Sequence, residues 1–172
     1  MPTDFLAPID TRRERDEQQE LISECFVRTL GYKDLGELRE PAPNRCIDAE
    51  TLRRRLLEMG YDPEVARKAI EEIERDAFSP RPDGQESGAQ SAAADSLFER
   101  NRRIYAKLRY GIGVEGESGL TRVFPIDWAH PENNEFAVAQ EASVLNERTG
   151  AVRRPDVVVY VNGLALATIE LK

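Results

Sequence analysis

Three polar residues near the end of the sequence have the types and spacing needed for metal-assisted chemistry. Asp156 precedes the apolar run VVVYV, while Glu170 and Lys172 end the second run, LALATIELK. Side chains two positions apart on a strand point to the same face, so Glu170 and Lys172 should project together. Two neighbouring carboxylates are costly to bury unless a cation lies between them, and Mg²⁺ prefers oxygen ligands. With an ammonium group to orient a water, this set suits metal-assisted hydrolysis of a phosphodiester.

Whether Asp156 reaches the face of Glu170 depends on the turn at Asn162-Gly163. A two-residue turn would pair Asp156 with Ile169 and put Glu170 on the opposite face. A three-residue turn with a bulge at Gly163 would place Asp156 diagonal to Glu170 on one face. It would also leave the other face wholly apolar, so the pattern favours the three-residue turn. On spacing alone, two strands that end in ordinary exposed charges explain the same residues.

The rest of the chain predicts the elements that position this hairpin. Four segments carry apolar residues at helical spacing, namely residues 12–30, residues 49–59, a segment that begins at Pro63, and residues 96–110. Three segments favour strands, namely residues 121–128, 135–145 and 157–171. Residues 79–95 are rich in Pro, Gly, Ser, Ala and Gln, which predicts a flexible loop. We therefore expect an α/β fold with a helical first part packed on a mixed β-sheet that ends in the hairpin.

Composition and charge exclude several classes of protein. The 172 residues suffice for one domain, or for a domain with an extension. The formal net charge of -8 disfavours a general polyanion binder, which normally needs a basic face. Cys25 and Cys46 are too few for a disulfide framework or a four-thiolate zinc site, and His130 is the only histidine. This cysteine content fits a reduced compartment best, so we expect a cytoplasmic protein. No apolar run reaches membrane-spanning length, so we expect no membrane partner.

Basic residues are concentrated in two places. Arg100, Arg102 and Arg103 lie on the fourth predicted helix, and Arg153 and Arg154 come directly before the hairpin. A solvated helix face with extended arginine side chains explains the first group. Contacts with the phosphates of DNA are the alternative for both groups.

Four segments resemble one known family. RRPDVVVYVNGLALATIELK resembles the PD-(D/E)xK segment of the R (restriction) subunit of type I restriction-modification enzymes. VFPIDWAHPENNEFAVAQ is similar to the D-x-x-x-PENN-x-F-x-V-x-Q block of that subunit. SLFERNRRIYAKLRY is similar to its arginine-rich helix, and ELISECFVRTLGY to its opening helix. The resemblance covers nearly the whole chain and is most specific from Asp127 to Lys172.

The resemblance implies a restriction-endonuclease-like fold and Mg²⁺-dependent hydrolysis of DNA. Asp156 and Glu170 match the metal-binding acids of the family, and Lys172 matches its catalytic lysine. Glu20 is the best match to an accessory acid and Glu17 is nearly as good, although solvated glutamates fill this helix.

Other residues of the matching segments are expected to be structural. Asn133, Asn134 and Gln140 should make hydrogen bonds in turns and at strand ends. We expect Trp128 in the core rather than as a platform on which bases stack.

The R subunit of this family is long, because ATP-hydrolysing motor domains that translocate DNA follow the nuclease domain. This sequence has no G-x-x-x-x-G-K-[ST] phosphate loop, so ATP is expected only in motor domains absent from this chain. Residues 1–172 are interpreted as a single, incomplete N-terminal nuclease domain. Its implied partners are double-stranded DNA and the modification and specificity subunits. The alternatives are an inactive truncated remnant, a docking module, or a standalone PD-(D/E)xK nuclease.

Overall fold

The computed structural model describes residues 11–43, 46–78, 97–117, 119–145 and 150–171. The predicted loop at residues 79–95 lies outside these ranges. The chain divides into two compact units. The first comprises the described parts of residues 1–45, 136–160 and 165–172, and the second comprises those of residues 46–135 and 161–164.

All four predicted helical segments are confirmed within these ranges. They are α1 (Thr11–Glu24), which continues as a π-helical segment (Cys25–Thr29), α2 (Ala49–Glu58), α3 (Pro63–Phe78) and α4 (Leu97–Tyr110). The strands are β1 (Lys33–Glu37), β2 (Ile112–Gly116), β3 (Gly119–Val123), β4 (Phe136–Gln140), β5 (Val144–Leu145), β6 (Val152–Arg153), β7 (Val157–Val161) and β8 (Leu164–Ile169). None of the described helices combines the length and apolar character needed to cross a membrane.

The main sheet has the strand order β1-β4-β7-β8. β1 runs parallel to β4, with Lys33 opposite Ala137. β4 and β7 run antiparallel, because the Glu141 N–H donates to the Asp156 carbonyl at one end (2.9 Å) and the Asn162 N–H donates to the Glu135 carbonyl at the other (2.8 Å). The sheet is therefore mixed, as the sequence predicts.

One apolar cluster of the first unit lies on one face of this sheet, while Val138 and Val157, which alternate with its members, are also buried. Small residues of β4 allow close packing against the larger side chains of β7. The buried cluster comprises Ala137, Ala139, Ala142, Val158 and Tyr160, with Leu35, Leu38 and Ala165 packed against it.

Local capping explains why α2 and α3 begin where they do. The Asp48 carboxylate accepts a hydrogen bond from the Thr51 N–H (3.2 Å), and the Asp62 carboxylate accepts one from the Glu64 N–H (2.8 Å). These bonds satisfy amides that have no partner inside the helix. Pro63 suits the first position of α3 because it has no N–H to satisfy.

The core of the second unit is built by α2, α3 and the β2–β3 hairpin. It includes Leu52, Leu56, Ala66, Ile70, Ile73, Ile112, Val114 and Val123, all buried. β2 approaches α3 so closely that a Cβ atom added at Gly116 would lie 2.8 Å from Val65 Cγ2. The Lys68 ammonium also donates to the Glu115 carbonyl at 2.9 Å.

The predicted strand at residues 121–128 is wrong in its second half, because β3 ends at Val123. Pro125 has no N–H for a ladder, and the Asp127 carboxylate binds the amides of Ala129 (3.1 Å) and His130 (2.9 Å). The predicted strand at 135–145 is also broken, since Glu141 has a φ of 47° between β4 and β5.

Gly163 lies where the tip of the β7–β8 hairpin meets the start of α2. Its φ is +84°, and an added Cβ atom would lie 2.6 Å from the Asp48 carbonyl oxygen. We predict that Gly163→Ala lowers the free energy of unfolding by at least about 3 kcal/mol, since overpacking adds to backbone strain. Gly60→Ala is the matched control, because Gly60 has a φ of +88° and nothing within 4 Å of the added atom.

The Gly60→Ala control should cost about 1 kcal/mol, from backbone strain alone. Urea unfolding followed by circular dichroism measures both variants. Equal losses in the two would contradict the close approach of α2 to the hairpin tip.

Candidate functional site

The hairpin that carries the predicted site closes through a two-residue turn. β7 ends at Val161 and β8 begins at Leu164, and the φ angles of Asn162 and Gly163 are 50° and 84°. Two left-handed residues between paired strands are typical of a type I′ turn. The predicted three-residue turn is therefore wrong.

Hydrogen bonds from distant segments hold Asn162 in this conformation. Its side chain is fully buried. The amide group donates to the carbonyl of Pro125 (2.9 Å) and to Oδ1 of Asn134 (2.8 Å), and its oxygen accepts from the Glu135 N–H (2.8 Å). These contacts decide the turn type, and the alternation of apolar residues along the strands could not reveal them.

The two-residue turn removes the argument that Asp156 and Glu170 share a strand face. Tyr160 and Ala165 belong to one apolar cluster, as the closing pair Val161–Leu164 requires. A regular continuation of this register pairs Asp156 with Ile169 and directs Glu170 to the other face.

A different contact brings Asp156 to the end of β8. The strand ends at Ile169, and the next two residues leave the ladder. The Leu171 N–H donates to Oδ2 of Asp156 at 2.7 Å. The Asp156 carboxylate therefore lies against the backbone directly after Glu170.

The two acids differ in their surroundings. Asp156 is only 2% exposed, whereas Glu170 is exposed to solvent. A buried carboxylate needs hydrogen bonds or a cation, and the Leu171 N–H supplies one such bond. Lys172 lies outside the described residues.

The carboxylates of Asp156 and Glu170 are oxygen ligands of the kind that a divalent cation such as Mg²⁺ prefers, but they are only two. In the described part of the chain, no group of three or more His, Cys, Asp or Glu side chains could hold a metal ion. A metal here would depend on the carboxylates of Asp156 and Glu170, with carbonyl oxygens and water in the other positions. That composition suits Mg²⁺, which usually keeps several waters.

In the described part of α1, the Gln19 side chain reaches the sheet. Its amide nitrogen donates to Oε1 of Gln140 at 3.2 Å, while Glu20, the predicted accessory acid, is exposed. The residue after Gln140 is Glu141, whose N–H binds the Asp156 carbonyl. Sequence reasoning missed Gln19, although it lies one turn before the buried Ser23.

The arginines before the hairpin are in different environments. Arg154 donates to Oγ of Ser143 at 2.9 Å, and its guanidinium lies 3.9 Å from the Glu141 carboxylate. Arg153 is exposed. Arg154 is also exposed, but its guanidinium is partly used by these contacts within the fold.

The asparagines and glutamine of the matching block make the structural contacts expected of them. The Asn134 amide donates to the carbonyls of Asp127 and Pro131, both at 2.9 Å, and its oxygen accepts from the Asp127 N–H at 2.9 Å. Asn133 donates to the Asp127 carboxylate at 3.0 Å. The block forms a tightly bonded loop before β4.

Several basic residues of α4 are used to join this helix to α3. The Lys107 ammonium lies 2.7 Å from the Asp76 carboxylate and 3.0 Å from that of Glu72. Arg103 lies 3.5 Å from Asp76, and Arg100 donates to the Ala77 carbonyl at 3.4 Å. For Arg100 and Arg103, these contacts favour a structural role over phosphate binding.

Arg102 differs from its neighbours because its side chain is 70% exposed and lies 3.6 Å from Glu99 on the same helix. An exposed pair of this kind contributes little to stability. Of the three arginines of α4 predicted to contact DNA, Arg102 is therefore the best placed to meet an external anion.

Comparison with known proteins places most of the chain in one group. Residues 11–172 match the family described as type I restriction enzyme R protein N terminus. A 113-residue segment is 31% identical to the type I restriction enzyme HindI endonuclease subunit of Haemophilus influenzae, covering 63% of this chain and 11% of that one. A 78-residue segment is 36% identical to a chain of Methanocaldococcus jannaschii named for the endonuclease subunit of a type I restriction enzyme, MjaIXP. It covers 42% of this chain and 8% of the relative, so the chain spans a small part of these relatives' length.

Charge reversals at two neighbouring arginines of α4 distinguish a structural role from an exposed position that is free to meet an anion. We predict that Arg103→Glu lowers the free energy of unfolding by about 1–2 kcal/mol, because it places a third carboxylate beside Asp76 and Glu72. Arg102→Glu should change it by less than about 0.5 kcal/mol, as expected of an exposed surface position. Urea unfolding of both variants tests this, and equal effects would contradict the structural role of Arg103.

Proposed function

The chain belongs to the family of type I restriction enzyme R protein N termini, and we propose that it is the nuclease part of such an enzyme. The observation that carries the proposal is the contact between the buried Asp156 carboxylate and the Leu171 N–H, at 2.7 Å. It fixes one acid beside the backbone that carries the other, Glu170. Both relatives are named as endonuclease subunits, which supports the same activity.

The proposed reaction is Mg²⁺-dependent hydrolysis of phosphodiesters in double-stranded DNA, on a fold of the PD-(D/E)xK type. Asp156 and Glu170 are the proposed metal ligands. A bound Mg²⁺ would offset charge on the phosphate and lower the pKa of a coordinated water. Lys172 is proposed to orient the attacking water or to stabilise the developing charge.

The two acids differ in exposure, and this difference suits different roles in the proposed hydrolysis. Asp156 is held rigidly, since its side chain accepts a backbone hydrogen bond and its carbonyl binds the Glu141 N–H. Glu170 is exposed, so DNA and solvent can reach it. Glu20 is proposed as the accessory acid because α1 resembles the opening helix of the family; its side chain is exposed.

We propose that DNA is delivered mainly by other parts of the enzyme. The net charge of -8 opposes strong binding of DNA by this chain alone. The exposed Arg102 and Arg153 are proposed to position phosphates locally. In the full-length subunit, motor domains that hydrolyse ATP are proposed to translocate the DNA, in a cytoplasmic complex with modification and specificity subunits.

A docking module without catalysis is the second candidate. It is favoured by the use of Arg100, Arg103 and Lys107 within the fold, because these charges are then less available to DNA. Such a module has no reason to bind Mg²⁺ at Asp156 and Glu170.

We predict that Asp156→Asn and Glu170→Gln each abolish Mg²⁺ binding by the chain, measured by isothermal titration calorimetry. In the full-length subunit with its partner subunits, each should slow DNA cleavage by at least about 100-fold. Asparagine at position 156 keeps an oxygen that can accept from the Leu171 N–H, so the fold should persist, as checked by thermal unfolding.

Glu50→Gln is the matched control for this experiment, because Glu50 is an exposed acid in the first turn of α2. It should leave both Mg²⁺ binding and cleavage unchanged. Cleavage at the normal rate by Asp156→Asn would overturn the proposed active site. Failure of the unaltered chain to bind Mg²⁺ would favour the docking module.

A further inference from the structure

A separate cavity lies within the second unit, between the end of α2, the end of α4 and the loop after β3. Its volume is about 680 Å³, within the range of small-molecule sites. Its lining includes three aromatic side chains, two arginines and two acids, namely Tyr61, Phe124, Trp128, Arg55, Arg109, Glu58 and Asp127. This combination differs from the acidic site at the end of β8.

Trp128 is fixed in this cavity although its side chain is not in the core. The residue is 46% exposed, so the expectation that it is a core residue is wrong. Its indole N–H donates to the Leu108 carbonyl at 2.8 Å, and the guanidinium of Arg109 lies 5.2 Å from the ring centroid. A large aromatic ring is therefore held in a set orientation while part of its surface remains open to solvent.

The loop that carries Trp128 is ordered by its own hydrogen bonds. The Asp127 carboxylate accepts from the Asn133 side chain and from the His130 and Ala129 amides at 2.9–3.1 Å. These bonds, led by the one from Asn133, hold the pKa of Asp127 below its ordinary value. Because the loop is already ordered, a ligand would not bear the full entropy cost of ordering it.

The two arginines of the cavity are not equivalent. Arg55 binds the Glu58 carboxylate and the Asn133 carbonyl. Arg109 is exposed, and within the described ranges no carboxylate forms an ion pair with it. Arg109 therefore presents a positive charge over one face of the Trp128 ring, 5.2 Å from its centroid.

A partly exposed tryptophan ring beside an exposed guanidinium is the chemistry that binds nucleotides outside a duplex. Bases stack on tryptophan and arginine planes, and arginine also binds phosphate. A purely apolar ligand would gain nothing from Arg109. A paired base in a duplex has no free face to offer.

We propose that this cavity binds an unpaired nucleotide, with its base stacked on Trp128 and its phosphate beside Arg109. The identification of DNA as the natural ligand rests on the proposed function. A single-stranded DNA segment and a free nucleotide have the same chemistry here, and the experiment separates these two sources.

Trp128 is the only tryptophan of the chain, so its fluorescence reports on this site alone. The 172-residue chain, kept free of divalent metal, is titrated with oligothymidine, with thymidine monophosphate and with a blunt DNA duplex. Oligothymidine should quench the tryptophan emission saturably, as stacking requires. A much weaker effect of the monophosphate identifies a DNA strand as the ligand, whereas an equal effect identifies a free nucleotide.

Variants test the two proposed contacts separately. Trp128→Ala should weaken binding of a fluorescently labelled oligothymidine by about tenfold in anisotropy, while Trp128→Phe should stay within about threefold. Arg109→Gln should weaken binding and lower the slope of log affinity against log salt by about one. Leu120→Ala is the control, because Leu120 is another large apolar side chain, 75% exposed on β3, and should bind normally.

The proposal is overturned if neither oligothymidine nor the monophosphate quenches the emission of the folded chain. It is also overturned if Trp128→Ala, shown by circular dichroism to be folded, binds as tightly as the unaltered chain. Asp156→Asn should quench normally, since the titration contains no divalent metal. A failure at this cavity and a failure at the active site are therefore distinguishable.

Discussion

The buried amide of Asn162 is the constraint on which the hairpin depends. It joins three segments by bonding to Pro125, Asn134 and Glu135, and none of these bonds can be exchanged for water in so enclosed a position. Leaving one such group unsatisfied would cost about 1–3 kcal/mol. The amide thereby fixes a left-handed backbone at the turn, and the turn in turn sets the register of β7 against β8.

That register determines how the two acids can meet. A strand face alone would separate Asp156 from Glu170, because a two-residue turn places them on alternate sides. The end of β8 at Ile169 frees the following backbone, and the Leu171 N–H then binds the Asp156 carboxylate. The contact between Asp156 and the backbone after Glu170 forms because the chain leaves the sheet after β8. The geometry of the candidate site therefore depends on the residue at which β8 ends.

Several positively charged side chains of the chain form contacts within the fold. Lys107 and Arg103 bind acids of α3, and Arg154 binds Ser143. Basic groups that are held in this way are less available to the backbone of DNA. This agrees with the proposal that DNA reaches the site through other parts of a longer enzyme, and it makes the exposed Arg109 more notable.

The sequence by itself determined the features that depend on near neighbours. Helices α2 and α3 follow from the caps Asp48 and Asp62 and from apolar residues at helical spacing, and the family follows from motifs in a fixed order. Only the tertiary structure decided the turn type, because Asn162 binds a carbonyl 37 positions away. It also decided that β1, a polar segment with little strand propensity, joins the sheet by pairing with β4, and that Trp128 lies beside a cavity. Such outcomes depend on partners brought together by folding, which a local pattern does not contain.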